Sequence, residues 1–128
     1  MIAAVTGCGA IKGPAIEQAP FLTKVHPPEG VADVVLTAAL PGRITERNGC
    51  FVFKAGSHYR AAIFASSFTV DRAAGRIYAG TRDGRYYTLG RASMFSGGEV
   101  DPRNVESMTR KELPRNCPGE VVEIDDFR

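Results

Sequence analysis

The Asn48-Gly49 pair, set between two short runs, constrains this chain more than any other feature. Asn-Gly suits the two left-handed positions of a type I′ turn, whose twist matches that of paired strands. Arg43-Ile44-Thr45-Glu46-Arg47 alternates before it and Cys50-Phe51-Val52-Phe53 follows, so residues 43–54 read as a β-hairpin. The pattern recurs downstream. Arg76 to Arg82 leads into Asp83-Gly84, and Arg85-Tyr86-Tyr87-Thr88-Leu89 returns, which predicts a second tight hairpin. Between the two, Ala55-Gly56-Ser57 turns the chain. Tyr59 to Ser66 reads as a strand apolar on both faces at its middle, and Phe68-Thr69-Val70 continues it after a break.

Fourteen Gly and eight Pro are spread along the chain as punctuation, which favours many short strands over a few long helices. Val34-Val35-Leu36-Thr37 reads as an earlier strand, and Glu120 to Ile124 as the last one. Residues 92–100 read as a segment ending in a flexible Ser96-Gly97-Gly98 turn. Asp101-Pro102 offers an N-cap followed by Pro in the first helical turn, so a short helix is expected over about 102–112, ended by Leu113-Pro114. The expected fold is therefore mainly β: a small barrel or sandwich of short antiparallel strands, with at most one short helix. An OB-type barrel is one such arrangement.

A chain of 128 residues suits one domain with a modest core, and with no Trp the large apolar anchors must be Phe and Tyr. The net charge of +2 implies no polyanionic partner by itself. Its distribution is uneven. Residues 43–91 carry nine basic and three acidic side chains, a net of +6, whereas residues 99–128 carry a net of −3. No segment approaches the roughly 20 apolar residues that span a bilayer as a helix.

The three cysteines suggest a location. Cys8 ends the run Val5-Thr6-Gly7-Cys8, which resembles the lipobox of bacterial lipoproteins: an aliphatic residue, a small residue, Gly or Ala, then the lipidated Cys. With Cys8 set aside for lipid, Cys50 and Cys117 remain as a pair able to form one disulfide in an oxidising compartment. Residues 1–7 are small and apolar like a truncated signal segment, though no Lys or Arg precedes them. Residues 8–32 hold Pro14, Pro20, Pro27 and Pro28 and read as a tether, packed loosely through Phe21, Leu22 and Val25. Freely flexible, it would span roughly 25–30 Å. Residues 33–128 then form the small β domain. The resemblance implies diacylglyceryl attachment at Cys8, and Gly9 after it is compatible with outer-membrane sorting. The expected location is the periplasmic face of the bacterial envelope. The expected partners are the membrane, through that anchor, and a protein, glycan or small-molecule ligand.

No motif for catalysis stands out, so no enzyme activity and no cofactor are expected. Ser66-Ser67 lacks a Gly-x-Ser-x-Gly elbow, and nothing in the spacing requires Asp71 and His58 to join it. His26 and His58 share no ligand register, which argues against a metal. Asp125 and Asp126 are adjacent, point to opposite faces of an extended chain, and read as exposed chain-end charge. The one candidate binding face interleaves Arg76, Arg82, Arg85 and Arg91 with Tyr78 and one of Tyr86 and Tyr87. Such a face supports the alternative reading, a cytosolic OB-like module binding nucleic acid through strands 76–91. Nucleic acid is not the expected partner, because isolated surface Arg residues are ordinary.

Overall fold

The computed structural model describes residues 21–25, 35–80 and 84–128. Among them run eight strands: β1 (Ala38–Arg47), β2 (Cys50–Ala55), β3 (His58–Phe64), β4 (Thr69–Asp71), β5 (Arg76–Tyr78), β6 (Tyr86–Thr88), β7 (Ser93–Val100) and β8 (Val121–Phe127). A 3-10 turn (Pro102–Asn104) leads into the short helix α1 (Val105–Thr109). The fold is mainly β with one short helical segment, as the turn grammar predicts. Strands β1, β2, β3, β8 and β7 pair in that order, and β7 returns to β1, closing a ring. Strands β4, β5 and β6 form a separate antiparallel sheet.

Ring closure depends on β1 changing partners along its length. Ala38–Gly42 pairs with β7, and Arg43–Arg47 pairs with β2. Pro41 and Gly42 stand at the changeover, where a ladder donor is dispensable and the backbones crowd. A Cβ on Gly42 would lie 2.6 Å from the Lys54 carbonyl oxygen and 2.7 Å from the Phe53 ring. Asn48 (φ 53°) and Gly49 (φ 82°) make the left-handed pair expected of a type I′ turn, and Arg47 pairs with Cys50 across it. One pairing departs from the antiparallel expectation. Strand β3 runs parallel to β8, with Ala61 opposite Val121 and Phe64 opposite Ile124.

Two apolar clusters flank the same strands. Phe51, Phe53, Ala62, Phe64, Val122 and Ile124 point into the ring, where they meet Phe95, Phe127 and the inward side chains Ile77 and Tyr87 of the small sheet. Cys50, Val52, Ala61, Ile63 and Val121 point the other way and are covered by Leu22 and Val105. Strands buried on both faces must read as near-continuous apolar runs, as Cys50–Phe53 and Ala61–Phe64 do. Each fully buried Phe or Ile contributes about 1.5–3 kcal/mol relative to exposure.

Four sequence expectations need correction. Residues 35–37 form no strand; the first described strand starts at Ala38. The second hairpin pairs Tyr78 with Tyr86, a register that a two-residue Asp83-Gly84 turn cannot produce, since that turn pairs Arg82 with Arg85. Core burial of the opposed Ile77 and Tyr87 sets the register instead. Ser96-Gly97-Gly98 is no flexible turn but the interior of β7, with a bulge between Ser96 and Gly97. A Cβ on Gly97 would collide with the carbonyl of Glu123, so glycine there permits close backbone approach. The helix is shorter than expected. Asp101 accepts from Arg103 N and caps the 3-10 turn that leads into it, with Pro102 following, but Arg110 turns left-handed (φ 60°) and ends the helix after Thr109.

Of the expected tether, the described part is Phe21–Val25, and it belongs to the fold. Lys24 N donates to the Phe64 carbonyl and Phe64 N donates to the Leu22 carbonyl, so this segment adds to β3 where β2 has ended. Phe21 stacks on Phe64 at 4.4 Å. The rest of 1–34, with Cys8, His26 and the prolines, lies outside the described residues.

Candidate functional site

The outward face of the small sheet gathers aromatic, hydroxyl and charged side chains on three short strands. Strand alternation sends Val70, Ile77 and Tyr87 inward, so Thr69, Asp71, Arg76, Tyr78, Tyr86 and Thr88 share the opposite side. Tyr78 is opposed by Tyr86 on one flank and Thr69 on the other; Arg76 is opposed by Thr88 and Asp71. The two tyrosine rings lie 5.8 Å apart, tilted at 55°, and the Arg76 guanidinium sits 4.2 Å over the Tyr86 ring. Hydrogen bonding to Tyr78, then the neighbouring Tyr86, raises the Arg76 pKa further. Tyr86 is 46% exposed while Tyr87 is buried, which answers which of the adjacent pair joins the basic side.

Not every residue of the expected basic face gathers here. Arg85 turns to the last strand, donating to the Phe127 carbonyl at 3.2 Å and to Asp126 at 3.1 Å. Arg82 lies outside the described residues. Arg91 is exposed in the turn after β6, where its amide donates to the Thr88 carbonyl. Arg43 donates to the Gly90 carbonyl at 3.1 Å in the same turn. Tyr87 anchors this sheet to the ring: Ile44 N donates to its hydroxyl at 2.8 Å, and the hydroxyl donates to the Arg91 carbonyl. Burial pushes the Tyr87 phenol above its ordinary pKa.

Cys50 and Cys117 form a disulfide, with Cα atoms 5.3 Å apart. Cys50 is buried in the outer cluster. Cys117 lines a cleft of about 230 Å³ with Arg47, Asn48, Asn116 and Pro118. Asn116 Nδ2 donates to the Asn48 carbonyl at 2.6 Å, so the bridge and this bond hold the 110–120 loop on the first hairpin.

A cleft of about 310 Å³ opens beside Arg60, Glu99, Asp101 and Glu120. Glu120 lies 2.7 Å from His58 Nε2 and 3.4 Å from Arg60 Nε. The hydrogen bond from His58, then its charge, lowers the Glu120 pKa. Arg103 engages both oxygens of Asp101 and holds its carboxyl down at about 2. Ser67 donates to the Ala79 carbonyl instead of meeting His58, and the seven residues of β3, about 20 Å, separate the two. Among the described residues no group of three or more His, Cys, Asp or Glu could hold a metal ion, and no helix is long and apolar enough to cross a membrane.

Sequence reading missed a buried charge cluster. Lys24 is 8% exposed and Glu123 4%. Lys24 Nζ lies 2.9 Å from Glu123 Oε2 and 3.0 Å from Asp125 Oδ1, and Leu36 N donates to Asp125 Oδ2 at 2.9 Å. Asp125 is therefore a buried partner, not chain-end charge; Asp126 points outward as expected. Burial, then the hydrogen bond with Asp125, pushes Glu123 up to about 7 against the pull of Lys24. Burial works against the Lys24 ammonium, but the hydrogen bond to Glu123 and the paired carboxylates outweigh it and raise its pKa. A charge inside Val121-Val122-Glu123-Ile124 was the available signal, because a carboxylate on a doubly buried strand needs a partner.

No protein-family profile, no curated protein and no solved structure matches this chain.

Proposed function

We propose that this protein is an envelope-anchored bacterial lipoprotein, tethered through Cys8, whose β domain binds a ligand rather than catalysing a reaction. The supporting observation is the Cys50–Cys117 disulfide, which joins the first hairpin to a loop 67 residues away. Such bridges persist in oxidising compartments and are rare in the cytosol. The lipobox-like run Val5 to Cys8 adds the anchor. The binding role draws on the outward Arg76–Tyr78–Tyr86 face, where Tyr86 is exposed and the other two are half-buried.

Expressed from its own locus, the protein should fractionate with membranes and incorporate labelled fatty acid, and Cys8→Ser should release it. Unchanged membrane association of Cys8→Ser would defeat the anchor. Digestion without reductant should yield a linked Cys50–Cys117 peptide pair; two free thiols in freshly lysed cells would remove the main support for export.

A further inference from the structure

We infer that the outward face of the β4–β5–β6 sheet is a binding site for an acidic polysaccharide. Carboxylate-bearing sugar rings would pack on Tyr78 and Tyr86 while the Arg76 guanidinium holds the carboxylate. Three observations carry this.

The first is preorganisation. Arg76 is fixed 4.2 Å over the Tyr86 ring and also interacts with Tyr78, so its fork of donors is positioned before a ligand arrives. Ordering a free arginine would cost affinity; this one is already ordered. A planar guanidinium matches a carboxylate with two parallel hydrogen bonds.

The second is charge. Arg43 and Arg91, both exposed, lie at the Gly90 turn that follows Thr88, so they add positive charge at the end of the sheet, with the Arg43 charge beside the inward Tyr87 phenol. Against them the face carries Asp71, whose Oδ1 is occupied by the Ala74 amide. The positive charge is therefore local, at Arg76 and the adjoining turn, and suits a carboxylate held there.

The third separates a glycan from single-stranded nucleic acid. Successive bases stack on open, roughly parallel aromatic faces. Here the two rings are tilted at 55° and one face of Tyr86 is covered by Arg76. A pyranose presents a small patch of C–H groups and needs no parallel ladder. Its hydroxyls need mixed donors and acceptors, and Thr69, Asp71 and Thr88 supply these on the same face.

The choice of polymer rests on the envelope reading, where acidic glycans abound; the geometry of the face does not. The test uses the full chain carrying Cys8→Ser, so that binding is read without the anchor. Polygalacturonate is the probe, neutral dextran the control and oligo-dT the competitor, with tyrosine fluorescence and calorimetry as readouts. Saturable binding to polygalacturonate is expected, weakened by salt. Tyr86→Ala and Arg76→Gln should each weaken it about tenfold, which is about 1.4 kcal/mol. Glu106→Gln, on α1, should leave it unchanged. The thermal midpoint and far-UV circular dichroism of each variant should match the parent, because both side chains lie outside the core. Absent binding, equal binding to dextran, or tighter binding to oligo-dT would each overturn the proposal. None of these outcomes touches the fractionation of the native protein, so the anchor stands or falls separately.

Discussion

Glu123 illustrates how one residue sets the pH behaviour of this molecule. Its folded pKa of about 7 stands above the ordinary 4.5, so between these values the folded state binds more protons than the unfolded one. Stability from this group is fully present below about 4.5 and is lost as pH rises to about 7. The loss should be on the order of 1–3 kcal/mol, read by urea titration at pH 5 and pH 8. Glu123→Gln should flatten that dependence. A stability curve rising from pH 5 to 8 in the parent would contradict the assignment. Glu120 and Asp101, whose pKa values are lowered, act with the opposite sign and in a more acid window, as pH falls through their folded values. Gly97 makes the second residue-scale case. Gly97→Ala places a methyl group against the Glu123 carbonyl, and backbone cannot rotate aside as a side chain can. Destabilisation of at least about 2 kcal/mol is expected. No such penalty should attach to an alanine at the exposed Ser57.

At the scale of elements, local turn chemistry was legible where nothing opposed it. Asn48-Gly49 set its own hairpin because its two-residue register also sends Phe51 and Phe53 inward. Asp83-Gly84 failed because the register it favours would not oppose Ile77 with Tyr87, and burial of those two side chains outweighs a turn preference of a few tenths of a kcal/mol. The Ser96-Gly97-Gly98 run misled for a related reason: glycine marks both flexible turns and close backbone approach, and only the neighbouring strand separates them. Pairing of Cys50 with Cys117 was expected only once the lipobox resemblance set Cys8 aside, and alternation put Arg76, Tyr78 and one of Tyr86 and Tyr87 on one face but could not show that Arg85 turns to Asp126. The disulfide should contribute about 4 kcal/mol by closing a loop of this length. Thermal unfolding with and without reductant measures it. Because Cys50 is buried, reduction in the native state should be slow, and an instantaneous loss of the bridge in mild reductant would count against this packing.

For the whole molecule, the least legible feature is the most consequential. A strand that closes a ring, a segment that extends β3 and a buried ammonium between two carboxylates all depend on contacts between residues far apart in sequence, in the last case 99 residues. No window of sequence contains both Lys24 and Glu123, so the pair is invisible until the chain is folded. Its presence brings Phe21–Val25, expected to belong to the tether, into the packed domain. Leu22 caps the outer cluster, Phe21 stacks on Phe64, and Lys24 neutralises a site that would otherwise hold two buried carboxylates alone. Truncation therefore tests this segment. Relative to a chain beginning at Phe21, one beginning at His26 should lose about 3–5 kcal/mol from the orphaned charges alone, before the lost apolar contacts. The deficit should be larger at pH 8 than at pH 5, where Glu123 carries a proton and the missing ammonium matters less. Equal stability of the two truncated chains at pH 8 would return Phe21–Val25 to the tether and leave the ring complete without it.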